Sequence, residues 1–186
     1  DWSSDVCSSD LVVPGTTISD TAGNLLTSAS VATGGANETY NLDTTAPVVS
    51  GVTSTLANGS YKEGQAVPVT VTFTEPVTVA TSGGSPQLTL ATGASATTPV
   101  TYTSGSGTAV LTFTYTVASG DTSADLDYAA TTSLAPGGGT IRDAAGNDAT
   151  LTLASPGASG SLGNAKALVI DTTAPVVTSK IGRAHV

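Results

Sequence analysis

The sequence predicts an all-β chain, an antiparallel β-sandwich built as a tandem repeat, and three observations predict it. Threonine, serine, alanine, valine and 21 glycines dominate, charged residues are only 10%, and the helix formers Glu, Lys, Gln and Met are scarce or absent. Side chains branched at Cβ suit a pleated, half-buried surface. Apolar residues alternate with polar ones at a period of two. A seven-residue segment, Asp43-Thr44-Thr45-Ala46-Pro47-Val48-Val49, returns unchanged as Asp171-Thr172-Thr173-Ala174-Pro175-Val176-Val177.

The strands follow in order. Val48 to Ser54 opens the series, and Val67, Val69, Val71 and Phe73 alternate with Pro68, Thr70 and Thr72. Gln87 to Thr92 and Val100 to Ser104 come next, then Leu111, Phe113, Tyr115 and Val117 with threonines between. Leu126 to Leu134, Ala149 to Leu153 and Ala167 to Ile170 complete the set, and no helix is expected. Turns such as Ser82-Gly83-Gly84-Ser85-Pro86 and Pro136-Gly137-Gly138-Gly139 separate them. Seven or more short strands with frequent turns argue an Ig-like antiparallel β-sandwich without the antibody disulfide. Pro68 belongs at an edge or a strand start, because it cannot donate to the ladder.

The termini read as scars. Codons GAC GTG TGC TCT TCC GAT CTT would encode Asp5 to Leu11, and their reverse complement encodes Lys180 to Val186. The pair looks like a sequencing adapter translated in frame, so residues 1–11 and 180–186 are set aside. They hold the only Trp, Cys and His: Trp2, Cys7 and His185. Setting aside Asp1, Asp5, Asp10, Lys180 and Arg183 takes the 14 acids to eleven and the 5 bases to three, a net charge of −8 instead of −9. The remaining cations, Lys62, Arg142 and Lys166, cannot build a basic patch, so nucleic acid and anionic membranes are poor partners and divalent cations better ones. No apolar run is long enough to insert in a membrane.

A second echo pairs Thr17-Ile18-Ser19-Asp20-Thr21-Ala22-Gly23-Asn24 with Thr140-Ile141-Arg142-Asp143-Ala144-Ala145-Gly146-Asn147. With the repeated heptapeptide it divides the chain into the end of one repeat (12–42), a whole repeat (43–170) and the start of a third (171–179). Each joint is short and stiff, because proline fixes its own φ and extends the residue before it, so successive repeats are expected to form a rod.

The joints, together with Phe73-Thr74-Glu75-Pro76-Val77, Gly105-Ser106-Gly107-Thr108 and Ile141 to Asn147, resemble Ig-like repeats of very large bacterial surface adhesins. The resemblance implies an exported spacer or adhesive module at the cell surface or outside the cell, often stiffened by calcium. Its partners would be neighbouring repeats of the same chain and a host or matrix glycan or protein.

Acids supply the candidate ligands. Asp121, Asp125 and Asp127 share one segment, Asp143, Asn147 and Asp148 another, and Asp43, Asp171, Glu63 and Glu75 stand at strand ends. Two carboxylates about 4 Å apart repel by roughly 1 kcal/mol in water and about 4 kcal/mol at an effective dielectric of 20, which favours a hard cation such as Ca²⁺. Asp and Asn also favour turns for local hydrogen-bonding reasons, and the pattern matches no EF-hand loop. Asn37-Glu38-Thr39 and Asn58-Gly59-Ser60 match the glycosylation acceptor pattern.

The alternative reading is a carbohydrate-binding module attached to a secreted enzyme, with Tyr40, Tyr61 and Tyr102 as the available aromatics. Catalysis is not expected. No His or Cys remains outside the scars, and Asp125 and Asp127 sit too close in sequence to flank a cleft in contrasting environments.

Overall fold

The computed structural model describes residues 42–93 and 96–177, and the backbone of two short strands before them. The chain divides into two compact units, residues 1–45 and 46–186. In the first, β1 (Leu11–Val12) pairs antiparallel with β2 (Ser19–Asp20). Most of the partial repeat expected over 12–42, with Tyr40 and the Asn37 acceptor pattern, lies outside the described residues.

The second unit is all-β. Its larger sheet contains β3 (Val49–Ser54), β5 (Ala66–Ala80), β6 (Gln87–Ala91), β7 (Thr97–Ser104), β8 (Thr108–Thr116), β10 (Leu134–Ala135) and β11 (Thr140–Arg142). The order is β10-β6-β7-β8-β5-β11, with β3 also on β5, and every pairing is antiparallel. The smaller sheet joins β4 (Gly59–Tyr61), β12 (Leu168–Asp171) and β9 (Thr122–Ser123).

Alternation dictates the core. Val67, Val69 and Val71 of β5 and Leu111, Phe113 and Tyr115 of β8 are buried; of the threonines between them Thr70 is buried too, while Thr112 and Thr114 are half-buried. Leu88, Leu90, Leu126, Tyr128, Leu162, Leu168 and Ile170 complete the interior. Each fully buried apolar side chain contributes about 1.5–3 kcal/mol. Tyr128 is buried and its hydroxyl donates to the Ala154 carbonyl at 2.6 Å; burial, then the nearby Asp127 charge, push its pKa up to about 12.

β5 runs 15 residues, well beyond the usual strand, because it changes partners along its length. Its first half lies between β3 and β8, and its end pairs with β11. In between, the β8 register jumps from Thr72↔Val110 to Val77↔Thr108, so Phe73 to Pro76 form a bulge. Pro68 is third in β5, just past Ser54↔Val69, the last pair with β3, so no β3 carbonyl is opposite its missing N–H.

Four expectations need correction. Leu126 to Leu134 is not a continuous strand: its N–H groups go to Leu168, Thr89 and Ala130 in turn, so no single ladder forms, and β6 is met only by an isolated bridge, Leu90↔Tyr128, and by the short β10. Ala149 to Leu153 is likewise irregular, with an isolated bridge Val48↔Thr150. One short helix exists, α1 (Leu162–Ala165), started by Ser161, whose hydroxyl accepts from the Asn164 N–H at 3.2 Å. The pairing of β12 with β4 is parallel, through Leu168↔Gly59 to Ile170↔Tyr61.

The chain joins this unit beside Phe73, where Val49 pairs with it, and leaves beside the beginning of β5. There Ile170 pairs with Tyr61, and the turn after Tyr61 leads directly into Ala66. Seven strand steps at about 3.3 Å separate Ala66 from Phe73 by about 23 Å along β5.

Candidate metal centre

β11 runs antiparallel to β5 through Thr140↔Ala80, Ile141↔Val79 and Arg142↔Thr78. Continuing that register carries Asp143 towards the bulge that holds Glu75. A carboxylate oxygen of each lies within 4.8 Å of the other. Glu75 is half-buried and Asp143 is 6% exposed.

A tight turn holds Asp143. Its Oδ1 accepts from the Asn147 backbone N–H at 2.8 Å and its Oδ2 from the Asn147 side-chain amide at 2.7 Å. Burial alone would raise its pKa, but the hydrogen bonds from Asn147 and from the Gly146 and Ala145 backbone outweigh it and hold the carboxyl below its ordinary value. The group therefore stays ionised at neutral pH. Two carboxylates at this spacing suit a hard, oxygen-loving cation, and Ca²⁺ needs further oxygens to complete six to eight ligands.

A depressed native pKa stabilises the fold above the unfolded value of about 3.9 and loses that stabilisation as pH falls through the lower native value. Asp143→Asn is expected to melt below the parent at pH 5 to 7, with the gap closing below about pH 4. A gap of constant size would refute the linkage.

Of the other candidate ligands, Asp121, Glu63, Asp148 and Asp171 join no such group among the described residues. Asp121 does not join Asp125 and Asp127: its Oδ2 accepts from the Tyr115 hydroxyl at 2.5 Å and from the Ala118 N–H at 2.9 Å. Burial, then the Asp121 hydrogen bond and charge, raise the Tyr115 pKa far above the ordinary value. Asp125 and Asp127 do come together, since a Cβ on Gly163 would lie 2.9 Å from Asp127 Oδ2 and 3.5 Å from Asp125 Oδ2. Asp127 Oδ1 accepts from the Tyr128 N–H and its Oδ2 from the Gly157 N–H, so it pins the loop before α1. Asp148 pairs with Arg142 at 2.6 Å on the surface, where such pairs contribute little. Glu63 is exposed in the turn before β5. Asp43, in the first unit, accepts at Oδ1 from the Thr45 N–H at 2.9 Å, and Asp171 accepts from the Thr173 N–H in the same way at 2.9 Å. Sequence placed Glu75 and Asp143 in separate groups, and only the β5–β11 register joins them.

Of the aromatics offered for sugar binding, Tyr61 and Tyr102 both pack against the core. The Tyr61 hydroxyl donates to the Ala57 carbonyl at 2.6 Å and the Tyr102 hydroxyl accepts from the Ser106 N–H at 2.8 Å. A surface groove lined by Pro136, Ile141, Arg142, Asp148 and Leu151 holds the Arg142–Asp148 pair, whose charges satisfy each other.

No protein family, no curated protein and no solved structure matches the chain.

Proposed function

We propose that the chain is a stretch of a non-enzymatic, tandemly repeated Ig-like β-sandwich protein, a stiff spacer in a large bacterial surface or secreted adhesin serving cell adhesion or biofilm formation. The observation that carries this reading is the separation, by about 23 Å of strand, of the places where the chain joins and leaves the second unit. A bead that the chain joins and leaves at separate places transmits length; one joined and left at a single place is an appendage. The repeated joint, with the same aspartate turn in both copies, supports it.

Small-angle scattering from chains carrying one, two and three copies tests the reading. The maximum dimension is expected to rise in proportion to copy number. Growth as the square root, the behaviour of a flexible string, would overturn it.

Calcium is the proposed stiffener, with Glu75 and Asp143 as ligands; the joint aspartates Asp43 and Asp171 keep their place among the candidates. For dissociation constants of about 10⁻⁴ to 10⁻³ M, 1 mM free Ca²⁺ would add roughly 0.4 to 1.4 kcal/mol. The melting temperature is expected to be higher in calcium than in chelator, and Glu75→Gln to narrow the difference. Superimposable curves for the parent chain would remove calcium from the proposal.

A further inference from the structure

We propose that the seam between successive repeats falls inside the repeated heptapeptide, after its second threonine, so that Ala174-Pro175-Val176-Val177 is the first strand segment of a following copy of this repeat and docks on that copy. The inference rests on the tandem-repeat part of the reading above, and it identifies the surface and the partner.

The two copies of the heptapeptide show the two halves at work. In the first copy, Ala46 to Val49 are built into the second unit. The Thr150 N–H donates to the Pro47 carbonyl at 2.8 Å, the Thr74 N–H donates to the Val48 carbonyl at 2.9 Å, and the Val48 N–H donates to Thr74 Oγ1 at 3.1 Å. Val49 pairs with Phe73 and packs against the core. In the second copy the other half is built into the same unit: Asp171 pairs with Thr122, and Thr172 Oγ1 donates to the Asp121 carbonyl at 2.9 Å. The division between the two compact units falls at the corresponding peptide, between Thr45 and Ala46.

One heptapeptide thus closes the repeat before it with Asp-Thr and opens the repeat after it with Ala-Pro-Val-Val. The repeat unit becomes 46–173, and the segment that follows is left with its valines in solvent: Val176 is 80% and Val177 91% exposed, whereas Val49 is half-buried. The seat that fits this segment is the counterpart, on another copy, of the groove between Phe73–Thr74 and Thr150. It recognises main chain on both sides, as strand addition does, and proline suits its second position because only the carbonyl there is used.

Identical residues should then respond oppositely to the same substitution in the chain as it stands. Val49→Asp is expected to lower the melting temperature of the second unit by about 5–15 °C, while Val177→Asp shifts it by less than about 1 °C. If Val49→Asp does not fold, Val49→Ala against Val177→Ala makes the same comparison. When residues 50–177 are appended after Val177, the Val176 and Val177 amides are expected to exchange hydrogen at least about 100-fold more slowly than before. In that longer chain Val177→Asp should destabilise the added copy alone. Equal loss from Val49→Asp and Val177→Asp in the original chain, or unchanged exchange in the extended one, would overturn the seam. Flexible-string scattering would defeat the spacer reading and leave this seam standing, so the two failures are distinguishable.

Discussion

Phe113→Ala is expected to cost the second unit about 3–5 kcal/mol, a large part of the 5–15 kcal/mol that holds a domain of this kind folded. Phe113 is fully buried in the middle of β8, opposite Val69 on one side and Tyr102 on the other. Its ring meets that of Tyr102 edge-on, with centroids 6.1 Å apart and planes at 75°. Truncation leaves a cavity where β5, β7 and β8 meet and removes the surface that positions Tyr102, whose hydroxyl accepts from the Ser106 N–H. With a single cysteine in the sequence, no internal disulfide can compensate. Urea unfolding should show a lower midpoint with an unchanged slope. Val110→Ala, three residues earlier on the same strand and 38% exposed, should stay within about 0.5 kcal/mol of the parent. Similar losses at the two positions would mean that alternation does not define the interior.

That interior is the part of the fold most legible in the sequence, because strict alternation reports burial directly. β3, β6, β7, β8 and β12 lie within a few residues of the expected runs, while β5 contains its run and continues past Phe73 to Ala80. Burial and pairing are separate properties, however. Leu126, Tyr128, Leu134 and Leu153 are as buried as the strand residues, yet the segments that carry them make no continuous ladder. Their apolar spacing records a packed face, while their backbone bonds go to several partners. β4, β9 and β11 are two or three residues long, too short to show a period. The acids were legible as oxygen donors but not as neighbours. Closeness in sequence grouped Asp121 with Asp125 and Asp127, but the Tyr115 hydroxyl engages Asp121 elsewhere. Distance in sequence separated Glu75 from Asp143, and a three-residue pairing brings them together.

Gly84→Ala is expected to be one of the most damaging single-methyl additions in the described loops. The turn before β6 and the Pro136–Gly139 turn before β11 pack main chain against main chain, so a Cβ on Gly84 would run into the Gly137 carbonyl oxygen, with Gly138 Cα 3.2 Å away. Gly84 also has φ +144°, a conformation costly for any residue with a Cβ. Backbone strain of about 1–3 kcal/mol and overpacking of about 1–3 kcal/mol add to about 2–6 kcal/mol, because neither turn can yield without moving β6 or β11. Gly120→Ala separates the two contributions. Gly120 has φ +88° but open space where its Cβ would stand, so only the conformational penalty of roughly 1–2 kcal/mol should appear. The turn before β11 also leads towards Asp143, so a calcium-dependent rise in melting temperature should shrink in Gly84→Ala and persist in Gly120→Ala. Equal stability losses at the two glycines would show that the close approach of the two turns carries no energetic weight.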